Sequence, residues 1–135
     1  MKMRTGFCLL VLCIAGCATT NPIEARKQER AAAYAALPPE TRALVDAGQI
    51  RTGMSEDAVY IAWGRPHQIA QQQDANGLVT VWIYEGGWMQ ETRYWSGWRR
   101  PRLERDYFPR TYVRAEVVFR DGRVVSWRTL PQPVE

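Results

Sequence analysis

The stretch that decides the fold runs from Gly53 to Pro66 and reads GMSEDAVYIAWGRP. Ser55 is a good N-cap residue, and the carboxylate of Glu56 favours the positive end of a helix dipole. Gly64 suits the position just after a helix, and Pro66 prevents the helix from continuing. The stretch therefore predicts a short helix that is fixed at both of its ends.

A helix of about two turns is unstable in water on its own, so this one must be docked on another element. Val59, Ala62 and Trp63 have the i, i+3, i+4 spacing that places side chains on one helix face. Met54 and Val59 have the spacing of a hydrophobic staple. We expect this apolar face to lie on a sheet formed by the residues that follow.

Strand signals dominate the rest of the chain. Residues 78–84 are β-branched and aromatic, which favours a strand, and we expect Gly86-Gly87 to end it. Asp121-Gly122 is a two-residue hairpin turn. The expected strands are residues 67–72, 78–84, 112–120 and 123–130, with a turn at 74–77.

Alternation along these strands predicts which side chains are buried. Trp82 and Tyr84 fall on one strand face, where they can meet Trp63, so we expect them in the core. The core candidates of the last two strands are Val113, Ala115, Val117 and Phe119, with Val125 and Trp127 on one face of the partner strand.

Two helices are expected before the docked one. Asn21 can cap the first and Pro22 suits its first position. The Ala-, Arg- and Glu-rich residues that follow are good helix formers but offer few large apolar side chains, so we expect this helix to be exposed or loosely docked. Pro38-Pro39 ends it, and a second helix runs to about residue 47 with Val45 pointing inward. Helices followed by antiparallel strands predict an α+β fold, with two short helices packed on a three- to four-stranded antiparallel sheet.

Residues 1–16 have the pattern of a secretory signal peptide. Lys2 and Arg4 form a basic start, and a short apolar run leads to small residues. The sequence from Ile14 to Cys17 resembles the bacterial lipobox, which implies cleavage before Cys17 and lipids on that cysteine. Ala18 in the next position resembles the signal for export to the outer membrane. The alternative is an ordinary signal peptide with a chance cysteine.

The composition argues against several classes of function. All three cysteines lie at or before position 17, so the mature chain has no disulfide and no thiol nucleophile. The net charge of the whole chain is +4, and removal of Lys2 and Arg4 halves it. The remaining charge is too small to favour nucleic acid as a partner. His67 is the only histidine, so neither a zinc site nor another metal site or cofactor is expected.

Two carboxylate pairs could do acid–base work, but each has a simpler interpretation. Glu56-Asp57 supplies negative charge at a helix start, and Glu104 with Asp106 suits salt bridges in a loop. The sequence contains no Gly-rich phosphate loop and no nucleophile elbow. We therefore expect a protein that is not an enzyme.

The order of these motifs over residues 50–130 resembles the small outer-membrane lipoproteins of the BamE type, also called SmpA/OmlA. Their pattern is a glycine and a Ser or Thr before a short helix, a Gly-x-Pro after it, and a Trp-x-Tyr on the first long strand. The hairpin at residues 117–124 is similar to that family's closing strands. The residues that carry the resemblance are Gly53, Ser55, Val59, Trp63, Gly64, Pro66, Trp82 and Tyr84.

The resemblance implies a fold of two helices on a three-stranded antiparallel sheet. It also implies a protein without covalent chemistry, since the best-known member is an accessory subunit of the machinery that inserts β-barrel proteins into the outer membrane. That member contacts partner subunits and anionic phospholipid. This chain differs from the family pattern by its Ala-rich helix and by a long insertion at residues 88–110.

The insertion reads WMQETRYWSGWRRPRLERDYFPR and mixes arginine with aromatic residues. Arginine makes charge-assisted bonds to phosphate or carboxylate, and Trp and Tyr suit interfaces that are apolar on one side and polar on the other. The expected binding residues, for protein or lipid, are Trp88, Trp95, Trp98, Arg99, Arg100 and Arg102. The alternative interpretation is that the aromatic rings pack over the sheet with arginine stems stacked on them.

The sequence thus predicts a lipid-anchored protein on the periplasmic face of the outer membrane. Its expected organisation is a signal peptide at 1–16, a lipidated tether and Ala-rich helix at 17–38, an α+β domain at 39–130 and a C-terminal tail at 131–135. Its expected role is a scaffold or binding subunit in envelope assembly, with barrel-assembly subunits as candidate partners. The alternatives are an independent binding module for lipid headgroups, glycan or another protein, and a periplasmic hydrolase.

Overall fold

The computed structural model describes residues 21–133, which form helices followed by one antiparallel sheet. The α+β class expected from the sequence is confirmed, whereas the signal peptide 1–16 and Cys17 lie outside the described residues. The sheet order is β1-β2-β3-β4, a simple meander. The elements are α1 (Pro22–Glu29), α2 (Ala31–Ala36), α3 (Pro39–Asp46), α4 (Glu56–Trp63), β1 (Gln68–Asp74), β2 (Gly77–Ser96), β3 (Arg102–Arg120) and β4 (Arg123–Thr129).

Helix α4 begins and ends where the sequence predicts. The Ser55 side chain accepts a hydrogen bond from the Ala58 N–H at 3.3 Å, which satisfies one of the donors that a helix start leaves open. Gly64 has a φ of +87°, and its N–H donates to the Tyr60 carbonyl at 2.7 Å. Val59 is fully buried, so the helix docks on the sheet as expected.

The buried layer between α4 and the sheet explains why both helix ends are fixed. The Trp82 and Phe119 rings lie 4.8 Å apart between centroids, and Trp63 meets Tyr84 edge-to-face at 5.6 Å. The Tyr84 hydroxyl donates to the Gly64 carbonyl at 3.0 Å. The C-terminal end of α4 is therefore bonded to the strand beneath it, and its angle across the sheet is set at that point.

The expectation that Gly86-Gly87 ends the second strand was wrong. Strand β2 runs through both glycines to Ser96 and pairs with β3 over its whole length. A Cβ atom at Gly86 would lie 2.7 Å from a carbon of the Tyr112 ring. Gly86 therefore makes room for a ring that covers the strand, a known use of glycine inside sheets.

The expectation that Val125 is buried was also wrong. The register pairs Val118 with Ser126 but Phe119 with Val124, so Val125 is the extra residue of a β-bulge. A bulge moves the following side chains to the other face of the strand. As a result Val124 is buried, Val125 is 44% exposed, and Trp127 stays 40% exposed on the edge strand.

The N-terminal helices have no buried residue, as expected of an exposed helix, but they are bonded to α4 rather than loosely docked. They break at Arg30 into two segments, and Asn21 caps the first by accepting from the Ile23 N–H at 3.1 Å. The Arg26 guanidinium donates to the carbonyls of Ile61 and Ala62 at 2.8 and 3.0 Å. These carbonyls belong to the last turn of α4, which helix geometry leaves without internal partners.

We predict that Arg26→Ala lowers the free energy of unfolding by about 1–3 kcal/mol, since hydrogen bonds from a charged donor are stronger than neutral ones. The measurement is urea unfolding followed by circular dichroism. Arg99→Ala is the matched control because Arg99 is exposed and forms no hydrogen bond or ion pair with any other described residue. Equal stability of the two variants would show that Arg26 does not hold α1 to α4.

Candidate functional site

The candidate site is a two-stranded ribbon that extends beyond the domain, which we call the arm. It comprises residues 88–110: the paired segments 88–96 and 102–110 and the turn 97–101 between them. β1 pairs with β2 only as far as Ile83, and β4 pairs with β3 only as far as Ala115. Nine paired residues span roughly 30 Å. The insertion predicted from the sequence is thus a continuation of the two central strands beyond a β-bulge between Tyr84 and Glu85.

The arm has two faces that follow from its register. The helix-side face continues the face of Trp82 and Tyr84, and the open face is the opposite one. Each cross-strand pair lies on one face. On the helix-side face Trp88 pairs with Arg110 and Tyr94 with Glu104, whereas on the open face Trp95 pairs with Leu103.

The structure brings together five of the six predicted binding residues and leaves one apart. Trp98, Arg99 and Arg100 lie in the turn. The other two flank this turn on opposite strands, Trp95 on the open face and Arg102 on the helix-side face. Trp88 lies at the base of the arm and is half-buried, so it is not part of the same surface.

The interpretation that these aromatic rings pack over the sheet is wrong for most of the arm. Trp98 is 99% exposed and Trp95 is 70% exposed. Tyr107 and Phe108 are also exposed by about half of their surface. Large apolar side chains left in water on one segment are typical of an interaction surface.

Cross-strand polar contacts hold the arm together at its middle. Glu91 pairs with Arg93 and lies 3.7 Å from Arg105, and the Tyr107 hydroxyl donates to it at 3.2 Å. The Arg93 guanidinium, with further contributions from Tyr107 and Arg105, lowers the pKa of the Glu91 carboxyl below its usual range. The ribbon therefore has an internal network, although both of its faces are exposed.

The carboxylates near the end of the arm also have structural partners. Hydrogen bonding to Asp106, followed by the charges of Asp106 and Glu104, raises the pKa of the Tyr94 hydroxyl. The predicted carboxylate pair of Glu104 and Asp106 therefore contacts a tyrosine. The Tyr94 hydroxyl lies 3.4 Å from Glu104.

The turn at the tip is basic. Arg99 and Arg100 form no ion pair with any residue between 21 and 133, and Arg102 lies 3.7 Å from Glu104. An exposed Trp beside guanidinium groups can contact both an apolar and an anionic surface. The tip thus combines two arginines that have no ion pair within residues 21–133 with a fully exposed tryptophan.

Sequence reasoning missed two apolar members of the open face. Met89 and Leu103 are 56% and 47% exposed. Alternation of side chains along a strand would have placed Met89 and Leu103 on one face of segments 88–96 and 102–110. The prediction that Gly86-Gly87 ends the strand excluded this interpretation.

Two shallow cavities elsewhere in residues 21–133 lack a catalytic arrangement. One of about 370 Å³ lies between α4 and β1 and contains Glu56 and Asp57 at the start of α4. Asp57 pairs with Arg30 there. The other, of about 320 Å³, is lined by Ala62, Trp63, Arg114, Ala115 and Thr129.

Features that would point to a metal or a membrane span are not found in the described part of the chain. His67 accepts a hydrogen bond from the Glu85 N–H at 3.1 Å and closes the end of the β1–β2 ladder. Between residues 21 and 133 no group of three or more His, Cys, Asp or Glu residues is placed to hold a metal ion. No helix in that range combines the length and the apolar character needed to cross a bilayer.

Comparison of the chain with protein-family models gives no match, and comparisons with curated proteins and with solved structures give none either.

Proposed function

We propose that this protein is a lipid-anchored, non-catalytic binding subunit of the bacterial envelope, attached through Cys17 to the periplasmic face of the outer membrane. Its role is to hold a protein partner in envelope assembly, with β-barrel assembly subunits as the first candidates. The observation that carries the proposal is the arm, which presents Trp95 and Trp98 to solvent on a ribbon that the domain holds at one end.

Several features support this proposal together. The leader resembles that of a lipoprotein, and the order of motifs resembles the BamE type. The docking of α1 limits the distance between the domain and the membrane. Asn21 is four residues from Cys17, and α1 is bonded to α4 through Arg26. Four residues span at most about 14 Å. The domain would therefore sit close to the membrane surface, and the arm would reach roughly 30 Å from the sheet.

A second function is favoured by one observation, the basic tip with its fully exposed Trp98. Arginine and tryptophan at such a tip suit the headgroup region of an anionic bilayer, where each cation contributes about 1 kcal/mol. Three arginines give weak binding alone, but a lipid anchor would raise the effective concentration of the tip at the surface. The same tip would suit an anionic glycan.

The test uses the full chain in intact envelopes, with a photo-crosslinking residue in place of Trp98. We expect barrel-assembly subunits in the crosslinked product. The triple variant Trp98→Ala, Arg99→Ala, Arg100→Ala should weaken co-purification of those subunits by more than about tenfold, since Trp and Arg are frequent hot-spot residues.

The matched control is Ile69→Ala, because Ile69 is 57% exposed but lies on β1 away from the arm. Cys17→Ala should release the protein from the membrane fraction. Unchanged co-purification in the triple variant would contradict a role for the tip in partner binding. Binding of purified protein to vesicles containing anionic phospholipid, lost in the triple variant, would favour the second function.

A further inference from the structure

One edge of the arm continues past the point where its neighbouring strand ends. β1 stops pairing with β2 at Ile83, and His67 then accepts the Glu85 N–H. Beyond Glu85 no strand within residues 21–133 lies on this side of β2, which continues to Ser96. A two-stranded ribbon is only marginally stable in water, and a third strand adds stability. This edge of β2 is therefore a place where a further strand can pair.

Pro109 identifies the backbone groups that face this edge. Proline has no N–H, so the Met89–Pro109 pair must be one in which the backbone groups point away from the partner strand. By alternation, Gly87, Met89, Glu91, Arg93 and Trp95 direct their N–H and C=O groups toward the outer edge of β2. Glu85 is two residues before Gly87 and belongs to the same alternating set. Its N–H does point outward, since it donates to His67.

The two edges of the arm are not equivalent. On β3 the outward position at Pro109 lacks a donor, and a proline on an edge strand hinders the pairing of a further strand. β2 contains no proline between Gly77 and Ser96. Strand addition is thus favoured on the β2 side.

The order of charges on β2 indicates what pairs there. Glu91 and Arg93 flank Thr92 on the outward-facing positions. If two β2 edges meet antiparallel about a twofold axis at Thr92, Glu91 of each copy faces Arg93 of the other. Centring the axis on Glu91 or Arg93 instead would place like charges opposite each other, which is unfavourable.

We propose that a second copy of this chain pairs with this edge, antiparallel and centred on Thr92, so that two arms form one four-stranded sheet. Met89 of each copy then faces Trp95 of the other, a favourable sulfur–aromatic combination. Gly87 faces Gly97, so no side chain obstructs the ends of the contact. Glu91 already contacts Arg93, Arg105 and Tyr107 within one copy, and pairing extends this network across the twofold axis.

The register is tested by disulfide formation in the full chain, purified in mild detergent with Cys8, Cys13 and Cys17 changed to serine. Thr92→Cys places its thiols opposite each other in a non-hydrogen-bonded pair, where Cα atoms lie about 4.5 Å apart, within the range that disulfides bridge. We expect a covalent dimer on mild oxidation. Gln90→Cys is the matched control on the same face, and it should remain monomeric, because in this register residue 90 faces residue 94.

The charge pattern is tested by sedimentation of the uncrosslinked full chain. Arg93→Glu places a second carboxylate opposite Glu91 of the other copy and should weaken self-association at least about tenfold. Arg110→Glu makes the same charge change on β3, at the base of the arm and outside the contacts of Glu91, and should leave self-association nearly unchanged. A chain that sediments as a monomer at all soluble concentrations would overturn the proposal.

Two other results would also overturn it. Crosslinking of Gln90→Cys as efficient as that of Thr92→Cys would exclude this register. A Thr92→Cys chain that stays monomeric alone but crosslinks to a different envelope protein would show that the edge binds another polypeptide. Neither outcome depends on the anchor or on the partner proposed above.

Discussion

Replacing Phe119 with alanine is expected to lower the free energy of unfolding by about 3–5 kcal/mol, the range for truncating a buried aromatic ring. Phe119 is fully buried, and its ring lies 4.8 Å from that of Trp82. Removing it leaves a cavity beneath α4 that the rigid sheet can fill only in part. For a domain of this size the loss is a large share of the whole stability.

The measurement is urea unfolding monitored by circular dichroism. Phe108→Ala is the matched control, because Phe108 lies on the arm and is 47% exposed. It should change the free energy of unfolding by less than about 0.5 kcal/mol. Similar effects of both variants would mean that the layer beneath α4 is not the stabilising core.

Replacing Ile61 with alanine is expected to cost about 2–5 kcal/mol. Two residues along a helix turn by about 200°, so Ile61 lies on the side of α4 opposite Val59. Both side chains are nevertheless fully buried. Burial on both sides is possible because α4 meets the sheet on one side, where Trp63 contacts Tyr84, and contacts α1, α2 and α3 elsewhere.

This prediction links the stability of the domain to its N-terminal helices. Ile69→Ala is the matched control because Ile69 is 57% exposed on β1, and its effect should be below about 0.5 kcal/mol. Hydrogen exchange would show whether protection of α4 falls together with that of α1. An Ile61→Ala chain as stable as the Ile69→Ala chain would mean that the N-terminal helices do not cover this face.

Much of the fold was predictable where local chemistry decides it. Ser55 and Gly64 mark the ends of α4 through capping and through a positive φ, both of which depend on the residue itself. The turn at Asp121-Gly122 is equally local, since both residues have the positive φ that such hairpins require. Trp82, Tyr84 and Phe119 were predicted in the core because strand alternation places them on one face.

The wrong predictions share a different cause. Gly86 was predicted to break the strand, but it lies within β2 and leaves room for the ring of Tyr112, a residue distant in sequence. Val125 follows simple alternation, but a bulge in the pairing with β3 shifts the register. The Ala-rich helix offers little apolar surface, and hydrogen bonds from Arg26 join it to α4 in addition to the packing of Ile23 and Tyr34 against the core.

Part of the candidate site was likewise predictable from local sequence, and part of it was not. Composition alone identified residues 88–110 as rich in arginine and aromatic side chains, and it named Trp98, Arg99 and Arg100. It did not reveal that the insertion is a paired ribbon, that Trp88 is separated from the tip, or that one edge carries a proline. Those properties depend on which residues of β2 and β3 face each other.

By itself, the sequence determined the capped helix, the turns at residues 74–77 and 121–122 and most of the alternating core, because each depends on residues close together in the chain. The tertiary structure alone decided the length of the arm, the exposure of its rings and the docking of α1. The arm and the exposure of its rings depend on the register between β2 and β3, and the docking of α1 depends on the contact of Arg26 with Ile61, 35 residues away. Local patterns carry no information about such contacts.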